Sequence, residues 1–139
     1  MPDIKLAEGM ETQGLPEMLA TLLKQNLEQK PHRIKDFNAL NITVGLKVVD
    51  IEMELRLIFK KGLLIIDQGL VNNPEIIIIA FSENLFDLNC IRIKFGIPWY
   101  FDSLGIKTLK GLFSGRIKIK GMLTHLISLI RLTKIMSVY

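Results

Sequence analysis

Ile51-Glu52-Met53-Glu54-Leu55-Arg56-Leu57-Ile58-Phe59-Lys60 alternates large apolar side chains with mostly charged ones for ten residues. Successive side chains of an extended strand point to opposite faces, so this period of two predicts a β-strand. Ile51, Met53, Leu55, Leu57 and Phe59 face a core in this reading, and Glu52, Glu54, Arg56, Ile58 and Lys60 face water. Lys61-Gly62 turns the chain into the apolar residues 63–66, and Asn72-Asn73-Pro74 separates that strand from residues 75–81. Residues 42–49 supply a further strand upstream. Three or four antiparallel strands thus follow one another. Ile76 to Ile79 do not alternate, which predicts a strand covered on both faces or lying near the centre of the sheet.

On either side of this block the period lengthens to that of a helix. Residues 1–14 have no sustained periodicity and are expected to form a flexible N-terminal arm, followed by one domain over residues 15–139. Leu15-Pro16-Glu17 resembles a helix entry, and Leu19, Leu22, Leu23 and Leu27 then share one face until Pro31. Ile34, Phe37 and Leu40 suggest a second short helical segment. Downstream, Ser82 is placed to cap a helix through Leu85, Phe86 and Leu88, with Glu83 in its first turn. Residues 91–113 are rich in aromatic and apolar groups and punctuated by Gly and Pro, which predicts short helices around a loop. Residues 115–121 read as a strand with Ile117 and Ile119 inward. Arg116, Lys118 and Lys120 then point outward, where they can meet Glu52 and Glu54.

Residues 122–139 are helical by periodicity. Leu123, Leu126, Ile127 and Ile130 form one stripe, expected to dock the helix, and Met122, Leu129, Leu132 and Met136 form a second beside it. Together they cover an arc of roughly 200°, where a surface helix needs only about 100°. Three readings account for the surplus: burial between two layers of core, the wall of a ligand cavity, or contact with another subunit or a membrane.

Composition excludes several classes. The chain has 139 residues, 49% of them hydrophobic, and a mean hydropathy of +0.32. Its longest apolar runs, residues 63–66 and 76–81, fall far short of the ~20 residues needed to cross a bilayer as a helix. The first residues carry no basic leader and apolar segment, so a cytoplasmic location is expected. A net charge of +4 is compatible with transient contact with an anionic membrane surface. No aromatic RNA motif or helix-turn-helix spacing supports nucleic-acid binding. Cys90 is the single cysteine and reads as a buried packing residue. His32 and His125 have no second histidine at helical spacing, so no metal pair is predicted. Asp50, Glu52 and Glu54 resemble an acid/base set less than a solvated charge ladder. Gly111 to Gly115 does not open a helix after a strand, as a phosphate-cradling loop would. No nucleophile–base pair emerges and no cofactor is implied, so the chain reads as non-catalytic.

Two segments resemble a known family. Gly111-Leu112-Phe113-Ser114-Gly115-Arg116-Ile117-Lys118-Ile119-Lys120-Gly121-Met122, followed by an apolar helix, is similar to the last strand and C-terminal helix of the sterol carrier protein type 2 domain. Asn73-Pro74-Glu75-Ile76-Ile77-Ile78-Ile79 and Ser82-Glu83-Asn84-Leu85-Phe86-Asp87-Leu88 resemble an earlier strand and helix of that domain. The likeness covers about residues 16–137, and residues 91–110 depart from it in being longer and more aromatic. It implies an α+β fold, with a five-stranded, mainly antiparallel sheet, helices packed on one face, and a C-terminal helix covering an apolar tunnel. The implied ligand is a sterol, fatty acid, acyl-CoA, phospholipid or quinone-like lipid.

The residues expected to line such a tunnel are Ile76, Ile78, Phe81, Phe86, Trp99, Phe101, Leu109, Phe113, Leu129, Leu132 and Met136. Burying each methylene of a ligand chain contributes about 0.8 kcal/mol, so an acyl tail binds without any specific hydrogen bond. Leu132 and Met136 are expected to touch it and Leu126 and Ile130 to hold the helix. The competing class is an interaction module or homodimer that uses the same surface without a ligand.

Overall fold

A computed structural model of the chain describes residues 3–7, 14–70, 74–89, 93–94, 97–98, 106, 110, 115 and 117–137. Their elements are β1 (Asp3–Leu6), α1 (Gly14–Gln29), a 3-10 turn (Pro31–Arg33), α2 (Ile34–Ala39), β2 (Asn41–Val48), β3 (Met53–Lys60) and β4 (Leu63–Gln68). There follow β5 (Ile76–Ala80), α3 (Ser82–Asn89), β6 (Ile93–Lys94), β7 (Ile97–Pro98), β8 (Lys118–Lys120) and α4 (Leu126–Met136).

The period of two in the middle of the chain becomes a meander. β2 pairs antiparallel with β3, and β3 antiparallel with β4. β5 then returns to the far side of β2, parallel to it, and β8 closes that side antiparallel to β5. The sheet has six strands rather than the expected five, in the order β1-β4-β3-β2-β5-β8. The sixth comes from the segment read as an arm, since Asp3–Leu6 runs parallel to β4 along its free edge.

Register builds one apolar face from rows that cross the strands. Ile4, Leu64, Phe59 and Ile42 form one row, and Leu6, Ile66, Leu57, Val44 and Ile76 form the next. Leu55, Leu46, Ile78 and Ile119 form a third. Most of these side chains are buried and belong to one core with Leu19, Leu23 and Leu27 of α1, Phe37 of α2 and Leu132 and Ile135 of α4. Each fully buried aliphatic or aromatic side chain contributes about 1.5–3 kcal/mol, so this face dominates the stability. Phe37 stands edge-on to Phe59 at 6.0 Å, joining α2 to the sheet.

The isoleucine run does alternate in space. Ile76 and Ile78 point into the core, while Ile77 and Ile79 are half-buried on the outer face. That face is partly covered by Leu70 and Pro74. A Cβ on Gly45 of β2 would lie 2.8 Å from Leu70 Cδ2 and 3.1 Å from Pro74 Cγ.

Four local expectations are corrected. Ile51 and Glu52 belong to the turn between β2 and β3, where Glu52 takes φ 51°, so Ile51 is exposed and the strand begins at Met53. Lys118 and Lys120 are exposed, but β8 lies beside β5, separated from β3 by β2 and β5, and does not meet Glu54, whose register partner is Lys47. Ser82 is the first residue of α3 and does not cap it from outside. Its hydroxyl donates to Asp50 Oδ2 at 2.5 Å, and Phe81 N donates to Asn84 Oδ1 at 3.3 Å. Finally, the expected helix over residues 122–139 is shorter, a turn occupying residues 121–125 before α4.

Gly121 explains the glycine of the motif that ends β8. It has φ +80°, and a Cβ there would fall 2.0 Å from the backbone oxygen of Glu75. Only glycine permits both the left-handed turn and this approach to the start of β5. Among the described residues, no helix is long and apolar enough to cross a membrane.

Candidate functional site

α4 is the helix expected to cover a tunnel, and its two ends are held differently. At its C-terminal end the last carbonyls have no helical partner. Asn26 of α1 donates from Nδ2 to Ile135 O and Met136 O, both at 3.1 Å. Arg33 Nη1 donates to Lys134 O, and Lys134 Nζ lies 3.2 Å and 3.3 Å from the two oxygens of Asp36. Asn26, Arg33 and Asp36 are all buried. Burial holds the Arg33 guanidinium below its ordinary pKa, with Asp36 opposing that shift. Burial, and then the neighbouring Arg33, does the same to Lys30, whose Nζ has no hydrogen-bond partner.

These groups form a polar clasp. They fix the end of α4 against α1 and α2, so the terminal helix is not held by apolar contact alone. One signal of the clasp is legible in the sequence. Asn26 falls on the face of α1 that carries Leu19, Leu23 and Leu27, where a polar side chain needs a partner.

The stripe expected to dock α4 is not its most buried one. Leu132 and Ile135 form the buried seam, whereas Leu126 is 48% and Ile127 67% exposed. Leu132 is therefore core, and the stripe expected to dock the helix faces outward at its N-terminal end. The physical reason lies at the other end, where the Lys134–Asp36 pair and the capped carbonyls set how the helix is rotated. Leu129 and Met136, seven residues apart, flank the seam as half-buried side chains packed against the core. Leu85 of α3 and Ile119 of β8 do the same. α3 and β7 both lie against α4, on elements other than those that form the clasp.

Of the residues expected to line a tunnel, the structure brings Ile76, Ile78, Leu129, Leu132 and Met136 into one apolar cluster. Phe81 is not brought in: it is 42% exposed in the link between β5 and α3. Trp99, Phe101, Leu109 and Phe113 lie outside the described residues, as do Cys90, Arg116 and the side chain of Phe86. Asp50 is separate from all of these. It accepts from Ser82 N and Oγ, and the Ser82 hydroxyl, followed by the backbone N–H groups, holds its carboxyl below the ordinary aspartate range. His32 is exposed, and His125 sits immediately before α4.

No protein-family model and no curated protein sequence matches the chain. A solved structure does match it, described as a UbiJ-SCP2 ubiquinone synthesis protein, with a TM-score of 0.58 over 84% of this chain and 90% of that one. The fold is that of a sterol carrier protein type 2 domain. At 15% identity the likeness to that structure is one of fold. In this chain α4 follows β8 and the Gly121 turn, the order that the resemblance over residues 111–122 implies.

Proposed function

We propose that the chain is a non-catalytic carrier that holds the apolar part of a lipid-like molecule against α4. The observation that carries this reading is the sterol carrier fold together with the flank of α4, where Leu129 and Met136 remain half-buried beside a fully buried seam. A helix that served only as core would have little reason to keep a second apolar stripe next to the first. Leu85 and Ile119 extend the apolar surface onto α3 and β8. Trp99, Phe101, Leu109 and Phe113, which lie outside the described residues, are the sequence candidates for the rest of the wall. Because the solved neighbour is described as a ubiquinone synthesis protein, a quinone-like lipid is the first ligand to test, ahead of sterols, fatty acids, acyl-CoAs and phospholipids.

The test is titration of the chain with a fluorescent fatty acid and with a short-tailed quinone. Leu129→Gln and Met136→Gln should each weaken binding about tenfold, since each loses apolar contact worth more than one methylene, while the urea midpoint moves little. Unchanged affinity in both variants, or no binding by the wild-type chain, overturns the reading. Leu132→Asp is unsuitable as a binding test, because Leu132 is core and its replacement unfolds the protein.

A further inference from the structure

Among the described residues, eight large hydrophobic side chains are exposed, and three of them fall within five positions: Leu123 at 86%, Leu126 at 48% and Ile127 at 67%. They occupy the turn before α4 and its first turn, the end that the clasp does not reach. The charge around them is one-sided. Residues 103–139 contain seven Lys and Arg and no Asp or Glu, whereas residues 1–102 contain eleven against fourteen. Lys118 and Lys120 are exposed on the strand that leads directly into the turn, and Arg131 lies one helical turn beyond Ile127. One acid is close by: the backbone carbonyl of Glu75 abuts Gly121. Its carboxylate is engaged by Thr43 N at 2.6 Å.

From this juxtaposition we infer that the start of α4 docks on an anionic lipid bilayer, with Leu123, Leu126 and Ile127 entering the headgroup–acyl boundary and the neighbouring cations meeting lipid phosphates. An apolar tip preceded by the exposed Lys118 and Lys120 and followed by Arg131 matches a surface that is apolar beneath and negative above. A second copy of the chain is a poorer occupant, because a two-fold contact through this tip sets the same cations against one another. The inference concerns where the chain sits and stands independently of what it carries.

The experiment is flotation of the full chain with phosphatidylcholine vesicles that are neutral or contain about one-third phosphatidylglycerol, at low salt and at about 0.5 M salt. The wild-type chain should float with anionic vesicles at low salt and be released at high salt. Leu126→Asp and Ile127→Asp should each lower partitioning roughly tenfold or more, as a buried aliphatic side chain is replaced by a charge. Lys118→Gln and Lys120→Gln should each lower it about fivefold, on anionic vesicles only. The urea midpoint and fluorescent fatty-acid affinity of all four variants should stay at wild-type values, which separates loss of docking from loss of folding or of carrier function. Wild-type chain that floats with neither vesicle, or Asp variants that float as wild type, overturns the inference. So does a dimer in solution that the Asp variants convert to monomer, which would assign the tip to a second copy.

Discussion

Replacing Asn26 by leucine removes the two hydrogen bonds that its Nδ2 donates to Ile135 O and Met136 O while keeping the same branching of heavy atoms. Each buried hydrogen bond contributes about 1 kcal/mol net, and both acceptors sit at a helix end with no other helical donor. The expected loss is therefore about 2 kcal/mol, rising toward 3 kcal/mol if neither carbonyl recovers water. Total stabilities of about 5–15 kcal/mol make this a large fraction, visible as a lower urea midpoint with little change in slope. Native-state hydrogen exchange gives the sharper readout. Amides in the last turn of α4 should lose protection in Asn26→Leu, whereas those of β2 and β3 should fall only with global stability. A destabilisation below about 0.5 kcal/mol, or a uniform loss of protection, would refute the reasoning that Asn26 caps α4.

The pair Asp36 and Lys134 should show strong coupling: Asp36→Leu alone is expected to cost roughly 3 kcal/mol by leaving a buried ammonium, and Asp36→Leu with Lys134→Met to recover most of it in urea unfolding. Gly121→Ala should destabilise by about 3 kcal/mol or leave the chain insoluble, because its Cβ would meet Glu75 O and the backbone is left-handed; a wild-type melting temperature would contradict this. The Asp50 carboxyl should titrate below the ordinary aspartate value of about 3.9 by NMR, and Ser82→Ala should move it back up. Since the folded value is the lower one, this contact stabilises the fold above the ordinary value and is lost as pH falls through the folded value. An unchanged titration in Ser82→Ala would remove the hydroxyl as its cause.

Strands β3, β4 and β5, helix α1 and the short α2 were legible in the sequence because each shows its own period or is bounded by a strong turn signal. Partnering was less so. Whether β8 lies beside β3 or β5 depends on contacts between residues far apart in sequence, and complementary charges at Glu54 and Lys118 pointed to the wrong neighbour. β1 is four residues long and half polar, too short for periodicity, and becomes a strand only through the open edge of β4. In α4 both stripes are apolar, so periodicity identified the helix but not its rotation. That rotation is set by Asn26, Arg33 and Asp36, over 90 residues away; Asn26 stands out on an apolar helix face, but nothing local names its partner, and Arg33 and Asp36 read as ordinary polar positions.

The carrier reading stands or falls on whether the chain holds a lipid. Native mass spectrometry of the full chain, purified without detergent, followed by solvent extraction of the same sample, measures this directly. A carrier should show added mass of a few hundred daltons on a fraction of the protein, on the order of one quinone, sterol or acyl-chain ligand with the apolar volume such sites accept. That mass should be recovered in the extract and diminished in Leu129→Gln. Wild-type protein of bare polypeptide mass that takes up neither quinone nor fatty acid on incubation would contradict it.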